Sequence, residues 1–186
     1  MSNFEKQKAF SVKDLTIIAL FTAILCVVSP FTIPVGLVPI SVSSLAIFLA
    51  CAVLGTVKST VAVSVYILIG LTGLPVYSSF TGGFGVLFGV TGGFIIGYIP
   101  CALVTSVILK AFENKKSLYF IAFTVGTIVL YLCGVGYYTL AYQVTFSVAI
   151  LTCVVPFIVV DIIKIILATT LTIILKPKLK QFKNHG

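Results

Sequence analysis

Arginine and tryptophan are absent from this chain of 186 residues, histidine occurs once, and only four residues are acidic. Each shortage closes off a class of function. All twelve basic residues are lysines, so the bidentate fork that reads phosphate and guanine is missing. The net charge of +8 therefore does not signal a nucleic-acid partner. The one histidine, His185, stands beside the C-terminus, and none of the five cysteines (Cys26, Cys51, Cys101, Cys133, Cys153) falls in a CxxC or CxxH spacing. A metal site and a Ser-His nucleophile both lack their parts. The cysteines, all in apolar segments, read as small buried hydrophobes. No cofactor is expected, and no arrangement of an enzyme is visible.

Charge of either sign is scarce as well, at 9% of residues, against 60% apolar and a mean hydropathy of +1.25. Soluble domains are about a quarter charged. Too little polar surface exists here to clothe a soluble core, and the apolar residues fall into long runs. The chain reads as a polytopic helical membrane protein. Its first apolar run begins near Leu15 and leads into Pro30 and Pro34 rather than a small-residue cleavage site, so it reads as a retained helix.

The runs predict helices over residues 12–29, 41–54, 57–70, a fourth ending near Ala111, 118–140 and 150–175, the last closed by Lys176-Pro177. The second and third are short, about 20 Å each, and imply a tilted or protein-covered position. Eleven lysines lie in the tails, in the turn at Lys58 and around the break at Glu113–Lys116. The other three connections carry no charge at all. That asymmetry predicts an all-α integral membrane protein of six transmembrane helices with cytoplasmic N- and C-termini, its lysines facing anionic lipid headgroups. The expected organisation is one domain over residues 1–186, with tails at 1–11 and 176–186, in a cell membrane.

The uncharged connections are themselves informative. Pro30 to Pro39 holds three prolines in an apolar setting and predicts a lid across the helix ends. Between Gly73 and Gly97 lie eight glycines, and Gly85, Gly89, Gly93 and Gly97 recur every four residues. On a helix they form a close-packing face; off one, their backbone amides can approach a ligand. Both readings stay open. The connection after the fifth helix carries Gln143, Thr145 and Ser147.

One polar pair stands inside an apolar run: Asp161 and Lys164, in Pro156-Phe-Ile-Val-Val-Asp-Ile-Ile-Lys164. Three residues apart, they share a helix face. Charge at membrane depth costs roughly 2.5–3.5 kcal/mol and by default marks function. Lys164 lies twelve residues before Lys176, about 18 Å along a helix, which places the pair near the midplane. It is either a neutralised structural clamp or a pocket floor offering an acceptor and a donor together, suited to an amide or ureide. A proton relay would string together several acids, and one is present.

Taken together, Gly70-Leu-Thr-Gly-Leu-Pro75-Val-Tyr, Phe80-Thr-Gly-Gly83, Thr91-Gly-Gly93 and Pro156-x4-Asp161-x2-Lys164 resemble the BioY family, the biotin-specific S components of energy-coupling factor transporters. The resemblance covers essentially the whole chain. It departs at Val90, where the family's Gly-Pro-Thr-Gly-Gly carries proline. It implies a subunit that captures biotin from outside, with Asp161 and Lys164 complementing the ureido ring. Phe84, Phe94 and Tyr98 are the expected aromatic wall, Gln143 is aimed at the ligand carboxylate, and Thr91 and Gly83 lie in the matching glycine-rich segments. It further implies docking through Ala19 and Ala23 of the first helix onto a transmembrane coupling protein driven by two ATPase subunits. An S component for thiamine or riboflavin, or a structural or channel-like subunit, are the competing expectations.

Overall fold

Long runs of Ile, Leu, Val and Ala, apolar on every face, can bury their backbone polar groups only by bonding them within each segment, which is what a helix does. The computed structural model describes residues 10–33, 38–112 and 118–184, with side chains as far as residue 177. Seven α-helices occur among them: α1 Val12–Val28, α2 Ser43–Leu54, α3 Thr56–Leu71, α4 Gly92–Ala111, α5 Tyr119–Tyr142, α6 Phe146–Cys153 and α7 Ile158–Asn184. Gly92–Ala111, Tyr119–Tyr142 and Ile158–Pro177 are long and apolar enough to cross a membrane. The first nine residues, the tip of the proline-rich connection at 34–37, the Glu113–Lys116 break and His185 lie outside the described residues.

The last predicted helix needs correction at both ends. Residues 150–175 do not form one helix: α6 ends at Cys153, a turn at 154–157 contains Pro156, and α7 starts afresh at Ile158. Proline has no N–H to continue an i→i−4 ladder, and the chain instead closes tight turns from Phe157 and Ile158 back to the Val154 carbonyl. At the other end, Lys176-Pro177 does not stop the helix, which runs on to Asn184. A single proline removes one donor and can bend a helix without ending it. The predicted tail from residue 176 is thus largely helical.

Shortness in α2 is explained by cover. Eight of its twelve residues are buried, and it packs against α1, α3, α4 and α7. Its Ala46 and Ala50 are inside the protein, whereas Ala19 and Ala23 of α1, at the same spacing, are exposed. Near the start of α1, the Asp14 carboxylate accepts the Ser11 backbone N–H at 3.2 Å and pairs with Lys58 of α3.

The four-residue glycine repeat is half helical. Gly85 and Gly89 sit in and just after a short 3₁₀ turn at Phe84–Phe88, ahead of α4. Gly93 and Gly97 are on α4 and face α5. A methyl on Gly93 would come 2.4 Å from Cβ of Tyr137, and one on Gly97 2.8 Å from Cβ of Cys133. The two helices therefore approach as closely as they do because these positions have no side chain.

Two connections are laced together over the end of the bundle where α4 and α7 begin. The proline-rich one is a small antiparallel hairpin, β1 Thr32–Ile33 and β2 Ile40–Ser41, with Thr32 opposite Ser41 and Ile33 opposite Ile40. The Ser79 N–H donates to the Pro30 carbonyl at 3.1 Å, the Thr32 and Ser79 hydroxyls meet at 2.9 Å, and Phe31 and Phe80 pack edge to face. From below, Tyr77 donates to the Ile67 carbonyl at 2.6 Å, and burial pushes its phenol up to about 12. The expected lid is present, built from two segments rather than one.

Candidate functional site

Asp161 and Lys164 lie in the first two turns of α7, which starts just after the turn containing Pro156. On α7 the helical spacing brings Nζ of Lys164 to Oδ1 of Asp161 at 2.8 Å. Both residues are buried, 9% and 8% exposed. Such a pair is stable inside a protein only if its remaining polar capacity is also met. Two other elements supply partners. Tyr131 of α5 donates its hydroxyl to Oδ2 of Asp161 at 2.5 Å, and Lys164 donates to Oγ of Ser44, in the first turn of α2, at 3.3 Å. Ser41 steadies that turn by accepting the Ser43 N–H at 3.0 Å and donating to the Ser29 carbonyl at 3.2 Å.

These groups line a partly open cavity. Ser44, Asp161 and Lys164 form its polar side. Phe94, Ile95 and Tyr98 of α4, Leu130 and Tyr131 of α5, and Phe157 from the break make the walls. Val38, Pro39 and Ser41 from the hairpin, with Ser78 and Thr91, complete the lining. An apolar, aromatic-walled cavity with a few convergent polar groups is the ordinary form of a small-molecule site.

Counting bonds shows what the polar side can still do. An ammonium has three N–H donors, and two of Lys164's are engaged among the described residues. A carboxylate accepts at about four positions, and Asp161 receives two bonds. One donor and about two acceptor positions are left for a guest. That complement is a group with two N–H donors and one carbonyl.

Of the residues singled out from sequence, Asp161, Lys164, Thr91, Phe94 and Tyr98 lie around this cavity. Gln143, Phe84 and Gly83 lie outside its lining. Gln143 is exposed in the turn after α5, in the left-handed conformation (φ 55°). Phe84 opens the 3₁₀ turn ahead of α4 with its side chain outward, 62% exposed. The Gly83 amide, open in principle to a ligand, donates instead to the Gly70 carbonyl at 2.7 Å. Phe157 and Leu130 occupy the wall in place of Phe84. Ser44 and Tyr131 are the hydrogen-bond partners of the pair that sequence reasoning missed. A tyrosine in the middle of an apolar run was a usable signal for the second, because a buried phenol seeks a hydrogen-bond partner.

A family model described as the BioY family matches residues 4–181. The chain is 37% identical over 156 residues to Biotin transporter BioY2 of Lactococcus lactis subsp. cremoris, covering 84% of this chain and 86% of that one. It is 35% identical over 162 residues to Biotin transporter BioY of Thermotoga maritima, covering 84% and 92%. In three dimensions it is similar to a crystal structure of the S-component for biotin from an ECF-type ABC transporter. There the TM-score is 0.82, identity is 26%, and 95% of each chain is covered.

Proposed function

The chain belongs to the BioY family, and from that premise we propose that it is the substrate-binding membrane subunit that captures biotin for ATP-driven uptake by an ECF-type transporter. The observation that carries the ligand reading is the unspent capacity of the Asp161–Lys164 network: one donor and about two acceptor positions beside an aromatic wall. The ureido ring of biotin presents two N–H donors and one C=O acceptor on a compact apolar bicycle, so it matches both parts. The hairpin and the 72–91 connection cover the cavity and belong to the outward side. Supporting that orientation, the lysines gather at the opposite ends of the helices and the cavity-side connections carry no charge.

In this reading α1, α2, α3, α4, α5 and α7 are the six crossings, with both termini in the cytoplasm, and α6 is an outer-side helix too short to span. The chain supplies no energy itself. A coupling protein and two ATPase subunits do so, the former docking on the exposed Ala19–Ala23 face of α1.

Calorimetric titration of the purified protein with biotin tests the ligand claim. One-to-one saturable binding is expected. Asp161→Asn and Lys164→Ala should each weaken it by at least a hundredfold, because each leaves a buried charged partner uncompensated. Wild-type titration by both variants would sink the assignment, and exclusive binding of thiamine or riboflavin would redirect it.

A further inference from the structure

Tyr131 touches two cavities. Its hydroxyl donates to Oδ2 of Asp161 at 2.5 Å, the length of a charge-assisted bond, while Lys164 holds the other carboxylate oxygen at 2.8 Å. Those two donors come from different helices, α5 and α7. A carboxylate gripped at both oxygens from two elements cannot swing about its terminal torsion, which is otherwise broad. On its other flank the same residue lines a groove between α5 and α6, with Ile128, Leu132, Val135, Phe146 and Ile150. That groove is apolar apart from the tyrosine, and Ile128, Leu132 and Phe146 are exposed along it, so it opens on the outside of the bundle. Tyr131 is thus common to the lining of the polar cavity and to that of the apolar flank.

We propose that Tyr131 is a positioning residue for ligand capture: its hydroxyl fixes the Asp161 carboxylate toward the guest's N–H groups, and its ring separates the binding cavity from the apolar groove between α5 and α6. This rests on the biotin reading. The two tasks support each other. A partition that keeps surrounding molecules out of the cavity leaves the aimed carboxylate's free positions to the guest. Without the hydroxyl, Asp161 keeps its bond to Lys164 but can turn, and part of its capacity is misdirected.

Titrating wild type, Tyr131→Phe and Tyr131→Leu with biotin, and with a biotin whose ureido N–H groups are methylated, separates the roles. Loss of one hydrogen bond to a charged group is worth about ten- to a hundredfold. Tyr131→Phe should therefore weaken biotin by at least about tenfold and change the methylated analogue less than about twofold. The same bond is lost from the unliganded variant, whose melting midpoint should fall by several degrees, so the comparison of the two ligands on one variant carries the test. Tyr131→Leu should weaken biotin further. Equal losses for both ligands would mean a structural role and overturn the positioning claim. So would unchanged biotin affinity in Tyr131→Phe beside a wild type that binds. A Tyr131→Leu loss no larger than that of Tyr131→Phe overturns the partition. Failure of wild type itself to bind biotin overturns the ligand reading, and this inference with it.

Discussion

At the scale of single residues, the site is a small polar network in an apolar surround, and its members differ in strength. Asp161 and Lys164 are joined at 2.8 Å within one helix, so their meeting follows from spacing alone. Ser44 sits at the end of a longer bond, 3.3 Å, from Lys164, 120 positions later in the chain. Ser44→Ala should consequently do less than Lys164→Ala: a two- to tenfold rise in the biotin dissociation constant, of the size of one modest hydrogen bond. A loss as large as that of Lys164→Ala would show that Ser44, not Asp161, sets the ammonium's position. From the sequence, the pair was legible and its partners were not. Nothing in a local pattern says which tyrosine or serine a fold will carry to a given carboxylate. Gln143, Phe84 and Gly83 illustrate the converse, since polar, aromatic and glycine residues in the right segments point elsewhere once the backbone has chosen its turns.

Among the elements, the α4–α5 contact is the closest fit and the most sensitive. Gly97 faces Cys133 of α5, where a methyl alone would stand 2.8 Å from its Cβ. Gly97→Leu should push the two helices apart, destabilise the protein by about 1–3 kcal/mol as overpacking does, and disturb the walls that Phe94, Tyr98, Leu130 and Tyr131 build from those same helices. Thermal unfolding in detergent would register a lowered midpoint, and an unchanged one would show that the helices can part without loss. Gly85 on its 3₁₀ turn has open space at the same test and should accept alanine with little effect. The periodicity left a packing face and a ligand approach both open and could not say where the helix began, because the same residues that pack closely on a helix also release the chain from it. Pro156 posed a related difficulty. Apolar residues run through it without a change of composition, so the division of α6 from α7 is visible only in which carbonyl each N–H finds.

For the whole molecule, the two alanine pairs at four-residue spacing, one on α1 and one on α2, differ in exposure. Ala46 and Ala50 are consumed by internal packing of α2, while Ala19 and Ala23 remain on an exposed face of α1. If that face docks a coupling protein, Ala19→Trp and Ala23→Trp should leave biotin binding within about twofold of wild type and abolish energised uptake in cells that supply the other subunits. Loss of binding instead would show that the face serves the subunit's own fold. By itself the sequence determined the class of the molecule: a shortage of charge, lysines confined to the ends of apolar runs, and one acid–base pair at helical spacing are all local or compositional facts, and the bilayer leaves such a chain little choice but helix. Tertiary structure decided the rest. It made the lid from two connections, brought Tyr131 and Ser44 to a pair thirty or more residues away, and left Gln143 and Phe84 outside the cavity lining. The physical reason is that hydrogen bonds and packing between distant segments depend on how helices are set against one another, and that setting is carried by shape at contacts such as Gly93 and Gly97 rather than by any motif.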